Sequence, residues 1–293
     1  MNLMIIGTGL IGGSFALALQ ESRPHIRVTG VDKDKEHLQQ ALDQGIIHRS
    51  GTLEEVKEMD LVILAVPVNV APTLLKEVLD RTTENTLVLD MGSTKEKLCR
   101  SVANHPRRKN FLAAHPIAGT EYSGPSAAFA QLYRNKKMVL CEVEKTDENL
   151  LQDALDLCEE LGMEIRHMHP EEHDRHLAYV SHLSHISSFM LGNTVLEKEQ
   201  DERNILDLAG SGFESTVRLA KSSPEMWVPI LEQNREPVLE ALDLYIMHLQ
   251  EFRKSLEQEQ YQNLYQDMKR ANVLKPLLGK EPNEIKTTKN LQP

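Results

Sequence analysis

Short apolar runs recur through the first half of the chain, at residues 3–6, 28–31, 61–66, 87–89, 111–114, 138–143 and 163–168. Their length and β-branched content predict strands. Amphipathic segments alternate with them, among them 70–79 and 148–161, the second apolar at Leu151, Leu155, Leu157 and Leu161. This alternation predicts a mostly parallel sheet of the α/β class, covered by helices on both faces. Near Pro170 the pattern changes. From Glu171 to about Lys275 the periodicity is helical, broken at Gly210-Ser211-Gly212 and at Ser222-Ser223-Pro224. An all-helical second domain is expected there. Val238, Leu242, Tyr245, Leu249, Phe252 and Leu256 step by four and three residues, a seam for another helix. The partner is either this domain's own interior or a second copy, since periodicity does not separate the two. The expected division is 1–169 for the sheet domain, 170–279 for the helical domain and 280–293 for a polar, disordered tail.

Composition narrows the function classes. A chain of 293 residues with 40% hydrophobic and 26% charged residues is that of an ordinary globular protein, and two domains are expected. No run of about 18 apolar residues is free of charge, so no membrane span is expected. The start, MNLMIIGTGLIGG, lacks the basic head of a secretory signal, so a cytoplasmic protein is expected. Cys99, Cys141 and Cys158 are few, odd in number and far apart, the usage of reduced thiols. A net charge of −11 argues against a nucleic-acid partner. An anionic substrate would need local cations.

The opening motif is Gly7-Thr8-Gly9-Leu10-Ile11-Gly12, which follows a strand, opens a helix, and precedes Asp32 by twenty residues from its last glycine. Gly7 permits the tight turn, Gly9 the approach of a diphosphate, and Gly12 close packing of helix on sheet. The helix start at Leu10 and Ile11 offers free N–H groups to that diphosphate. Asp32 suits the ribose hydroxyls and repels a 2′-phosphate, so NAD is the expected cofactor, with Lys33 and Lys35 tempering the preference. Val66 and Pro67, after a later strand, are expected to line the same crevice. These features together predict a Rossmann-type doubly wound fold.

Ser93 and His115 follow the strands at 87–89 and 111–114, so both are expected near the nicotinamide, where a hydroxyl and an imidazole could accept the proton of a substrate alcohol. Ser93 also suits the N-cap of a helix from Thr94 onward. Half of the twelve histidines crowd the domain junction, at His167, His169, His173, His176, His182 and His185. Their spacing matches no zinc motif, and no metal is expected. His182 and His185 share a helix face and could donate to an anionic substrate, whereas His173 and His176 read as core histidines. Arg218, between two chain breaks, is a candidate carboxylate clamp.

The stretches IIGTGLIGGSFALAL, AVPV, DMGSTK, HPIAGTEYSG, EEHDRHLAYVSHLSH and ESTVRLAKSSPEMW resemble the prephenate dehydrogenase family, which includes arogenate and cyclohexadienyl dehydrogenases. The likeness runs from residue 1 to about 235. It implies oxidative decarboxylation: hydride leaves ring C4 for NAD, the ring carboxylate leaves as carbon dioxide, and aromatisation drives the step to 4-hydroxyphenylpyruvate in tyrosine biosynthesis. The resemblance makes His115 the acceptor for the 4-hydroxyl with Ser93 beside it, and Arg218 the carboxylate anchor. It places His185 in the substrate pocket, where His182, Thr120 and Glu121 are also expected to bind the substrate. A homodimer through the helical domain is expected. Ser184 stands where the family often has proline. Two rivals share parts of this pattern. The 3-hydroxyacid and 6-phosphogluconate dehydrogenases use a catalytic helical lysine, and the helix of His182 and His185 offers none before Lys198. An NAD-sensing binding protein would need the glycine motif, but not Ser93, His115 and Arg218 together.

Overall fold

The computed structural model describes residues 1–202, 204–274 and 276. The first half alternates β1 (Asn2–Ile6), α1 (Leu10–Ser22), β2 (Arg27–Val31), α2 (Lys35–Asp43), β3 (Arg49–Ser50), β4 (Leu61–Leu64), α3 (Ala71–Leu79), β5 (Leu87–Asp90), α4 (Glu96–Ser101) and β6 (Phe111–Pro116). It closes with β7 (Lys137–Cys141), α5 (Glu148–Glu160) and β8 (Glu164–Met168). Helices alone follow among the described residues: α6 (Pro170–Leu177), a π turn (Ala178–His182), α7 (Leu183–Asp201), α8 (Ser211–Val217), α9 (Pro224–Gln233), α10 (Arg235–Glu257) and α11 (Tyr261–Ala271).

The strands form one sheet in the order β3-β2-β1-β4-β5-β6-β7-β8, parallel throughout except where β6 meets β7. From β1 the chain runs outward to β2 and β3, then returns to place β4 on the other side. That reversal opens a crevice at the carboxyl ends of β1 and β4, where sheets of this kind bind their ligands. The doubly wound α/β architecture expected from the alternation is the one observed.

Period-two alternation explains why both faces are apolar. Leu3 and Ile5 of β1 join Phe15, Leu19, Leu61, Ile63, Leu89 and Leu140 in one core. Met4 and Ile6 point the other way, into a second core with Val62, Leu64, Leu75, Val78, Leu98 and Phe111. The centre of the sheet is therefore packed on both faces, and the loops at its carboxyl edge start from buried strand ends.

Three expectations need correction. β4 ends at Leu64 and β7 at Cys141, because Ala65-Val66-Pro67 already turns toward α3 and Glu142 takes a left-handed φ of 51°. The edge strand β3, only Arg49–Ser50 and exposed, has no apolar run to announce it. His176 is not a core histidine; it lies exposed, 3.9 Å from Glu172. The three cysteines are free and buried, and burial pushes the thiols of Cys141 and Cys158 up to about 12, which makes them unreactive.

By compactness the chain divides within α10, into Met1–Val238 and Leu239–Pro293, whereas the change from alternating elements to helices alone falls at Pro170. In the second unit Leu249, Phe252 and Leu256, the later half of the seam, are 50%, 38% and 54% exposed. The stretch 280–293 lies outside the described residues. No helix among the described residues is long and apolar enough to cross a membrane.

Candidate active site

The crevice begins at the glycine turn. Gly7 has φ 94°, and a Cβ there would lie 2.2 Å from the Ala65 carbonyl oxygen, so only glycine lets β1 and β4 end side by side. A Cβ on Gly12 would lie 2.1 Å from the Gly7 oxygen, so α1 can approach the sheet this closely only without one. Gly9 differs from both. Nothing of the protein lies within 4 Å of where its Cβ would be. Its smallness answers no contact within the chain, which fits a surface kept bare for a diphosphate. Gly13 makes the first helical bond, to the Gly9 carbonyl at 2.8 Å, leaving the N–H groups of Leu10, Ile11 and Gly12 without helical acceptors. With no side-chain cap at Gly9, these donors and the positive end of the helix dipole face the crevice.

Asp32 stands just past β2, its Oδ2 accepting the Thr8 N–H at 2.8 Å and the Thr8 hydroxyl at 3.0 Å, its Oδ1 accepting the Asp34 N–H at 3.0 Å. The carboxylate expected to bind the ribose is thus locked to the glycine turn itself. Val66 lies against that turn, within 3.3 Å of a Cβ built on Gly7, and the Pro67 carbonyl accepts from Val70 at the approach to α3. The residues expected to hold NAD therefore form one continuous rim, and they fit the dinucleotide.

His115 sits near the end of β6, after four fully buried residues, and is itself half-buried. Its Nδ1 lies 2.8 Å from His173 Nε2, and His173 Nδ1 lies 2.7 Å from Asp174 Oδ1. The two imidazoles meet edge to face. Burial, reinforced by His173 and the Lys95 charge, holds the pKa of His115 well below that of a free histidine. It is a neutral acceptor at neutral pH.

The loop carrying Ser93 is built by two buried contacts. Lys95, fully buried, pairs with Asp90 at the end of β5 and donates to the Ala114 carbonyl at 2.7 Å. Burial pushes the Asp90 carboxyl up, and the ammonium beside it opposes that shift. Asp174 then accepts the N–H groups of Lys95 and Glu96 at 2.8 and 2.9 Å, capping α4 from a different element. Ser93 is therefore not the cap. Its hydroxyl has no partner among the described residues and stays half-buried, available to a ligand.

The helical side closes the site. Asn234 Nδ2 donates to the Asp174 carbonyl at 2.7 Å and to His182 Nδ1 at 3.0 Å. His182 is 1% exposed, and burial pushes its pKa down to about 4. This corrects its expected role: a ring so enclosed and so held supports its neighbours rather than meeting a ligand. His185 stacks on Trp227 with centroids 3.6 Å apart, and its Nδ1–H donates to the Ser181 carbonyl at 3.0 Å. In the neutral ring Nε2 is then an acceptor, not the donor expected. Burial and the nearby Arg218 charge keep that ring neutral.

Arg218 follows α8, whose end is pinned to α7 by the Ser188 hydroxyl, bonded to the Thr216 carbonyl and the Ala220 N–H at 3.1 and 3.0 Å. Its Nη1 reaches Glu121 Oε2 at 3.3 Å, in the loop after β6 that also carries Thr120. Thr120 Oγ1 accepts the Tyr122 N–H at 3.2 Å, which shapes that loop. The exposed guanidinium keeps donors free for a second carboxylate. Sequence reading missed Lys95, His173, Asp174, Asn234 and Trp227 as parts of the site.

Residues 15–167 match the prephenate dehydrogenase nucleotide-binding domain, and residues 169–270 the prephenate dehydrogenase dimerization domain. The prephenate dehydrogenase of Bacillus subtilis (strain 168) is 33% identical over 274 residues, covering 92% of this chain and 74% of that one. Among solved structures, prephenate dehydrogenase of A. aeolicus, in complex with hydroxyphenyl propionate and NAD+, is 32% identical with a TM-score of 0.86, over 95% of this chain and 98% of that one. Synechocystis arogenate dehydrogenase is 25% identical with a TM-score of 0.75, over 95% and 100%. Sheet order, glycine turn and both family matches agree: this chain is an NAD-dependent oxidoreductase of the prephenate dehydrogenase family.

Proposed function

We propose that the chain converts prephenate and NAD+ to 4-hydroxyphenylpyruvate, carbon dioxide and NADH, a step of tyrosine biosynthesis in the cytoplasm. The observation that carries this is His115: a neutral, half-buried imidazole near the end of β6, its Nδ1 engaged from behind by His173. Such a ring suits the acceptance of a proton from a substrate hydroxyl. The nicotinamide, when bound, supplies the carbon that takes hydride from ring C4.

The chain's own groups do the rest. Free N–H groups at the start of α1 hold the diphosphate, and Asp32 the ribose. The His115 lone pair draws on the 4-hydroxyl proton as hydride departs, with Ser93 orienting the same oxygen. The ring carboxylate then leaves as carbon dioxide, its electron pair completes the aromatic ring, and the proton returns to the phenolic oxygen. No proton is gained or lost overall. Arg218 anchors the side-chain carboxylate, which competes with Glu121 for the guanidinium. Thr120 and Glu121 border that end of the substrate, and His185 offers an acceptor beside it.

The likeness to an arogenate dehydrogenase supports a second substrate, arogenate, whose side chain carries an ammonium. NADH formation with prephenate and with arogenate under matched conditions tests both. Turnover on neither, with NAD still bound, would remove the reaction. A homodimer is supported by the match to a dimerization domain and by the uncovered Leu249, Phe252 and Leu256.

A further inference from the structure

We propose that His173 and Asp174 are positioning residues that fix the tautomer of His115, leaving its Nε2 unprotonated for the substrate hydroxyl. The inference rests on the reaction proposed above and deepens it.

The direction of every hydrogen bond in the chain follows from one end. Asp174 accepts two backbone N–H groups, Lys95 on Oδ1 and Glu96 on Oδ2, so both of its oxygens face donors and act as acceptors. His173 must then carry its proton on Nδ1, which points at Oδ1 from 2.7 Å. Burial, with the Lys95 charge, lowers the pKa of His173 against the opposing pull of Asp174 and Asp90, so the fully buried imidazole is neutral and its Nε2 is bare. That bare nitrogen lies 2.8 Å from His115 Nδ1, which must therefore be N–H. His115 is neutral as well, and Nε2, on the other edge of the ring, keeps its lone pair. The reverse arrangement would need a protonated Asp174 facing two N–H donors. As His115 takes up positive character in the transition state, the same chain leads that charge toward a carboxylate.

The carboxylate also orders the Ser93 loop, because the N–H groups it accepts, of Lys95 and Glu96, lie two and three residues after Ser93 at the start of α4. Its backbone carbonyl is held in turn by Asn234. One aspartate thus sets the hydrogen-bond polarity of His115 and the position of its neighbouring serine.

The test uses ¹⁵N-histidine-labelled full-length protein, with His115→Gln to assign the ring signals. At neutral pH His115 Nε2 should resonate as an unprotonated nitrogen and Nδ1 as a protonated one. In Asp174→Asn the amide Nδ2 can donate to His173, reversing the chain and moving the His115 proton to Nε2. Turnover should fall by about 10²–10⁴-fold, as for the wrong tautomer of a catalytic triad, with NAD affinity unchanged and KM nearly so. A cap role alone would lower the melting temperature and leave the His115 signals as they were. If Asp174→Asn does not fold, His173→Gln, whose carbonyl can still accept from His115, should retain turnover at least about tenfold above His173→Leu. A protonated Nε2 in the wild type, or His115 signals unmoved in a folded Asp174→Asn, would overturn the proposal. The nitrogen signals need no turnover, so inactivity on prephenate and arogenate counts against the reaction and not against the tautomer.

Discussion

Asp174 caps the helix that starts at Glu96, accepting its N–H at 2.9 Å across 78 residues of sequence. The helical half thereby reaches into the sheet half at the loop that holds Ser93, and the two cannot be ordered independently.

His115→Asn should lower turnover by about 10²–10⁴-fold while NAD affinity stays constant, because a positioned acceptor acts mainly in the transition state. Steady-state kinetics beside NAD titration decide it. Unchanged turnover would take His115 out of the mechanism.

Arg218→Ala should raise KM by about ten- to a hundredfold, the worth of a charge-assisted hydrogen bond to a carboxylate, with a smaller effect on kcat. An unaltered KM would count against the clamp.

Gly7→Ala and Gly9→Ala should part company. The first puts a Cβ 2.2 Å from the Ala65 oxygen at φ 94°, and should destabilise the fold by more than about 2 kcal/mol. The second meets nothing of the protein and should leave the melting temperature nearly unchanged while weakening NAD binding. Equal NAD affinity in Gly9→Ala would mean that the diphosphate lies elsewhere.

Stability should fall on acidification. Burial lowers the pKa of His173 and takes His182 to about 4, whereas the unfolded chain returns both to about 6.5. Below about 6.5 the unfolded state binds more protons than the folded one, so stability is full above that pH and is lost as pH drops toward the folded values. The loss is at most about 1.4 kcal/mol per group per pH unit. Urea midpoints at about pH 7.5 and about pH 5 measure it, and equal midpoints would contradict the buried neutral rings.

Leu249→Glu combined with Phe252→Glu should yield a monomer in sedimentation if the exposed seam meets a second copy, since charge in an apolar interface carries a heavy desolvation cost. A dimer that survives both would move the interface off α10.

The sheet and its cofactor rim were legible because their causes are local. A strand's period, a glycine's missing Cβ and an aspartate at a strand end all show in a short window. His115 and Arg218 stood out as polar residues at breaks. What sequence reading missed is polar and buried, and owes its role to residues far away. Even so, Lys95, Leu98, Cys99 and Val102 share one helical face, a spacing that marks Lys95 as inward-pointing. His173 and Asp174 recur with Leu177 and Ala178 in the same manner. Nothing local distinguishes His182, enclosed and bonded to Asn234 52 residues on, from the half-buried His185. The misjudged cap at Ser93 has the same origin, a competitor from another element.

The π turn at Ala178–His182 sits between His173, which serves His115, and His185, which serves the other end of the site. Because α6, the turn and α7 are continuous, removing one residue there would swing everything beyond it by about 100° relative to everything before it. The turn is thus the phase setting of a single shaft that drives two gears. Relatives that lengthen or shorten loops freely should still keep the nine-residue interval from His173 to His182 and the twelve-residue interval to His185.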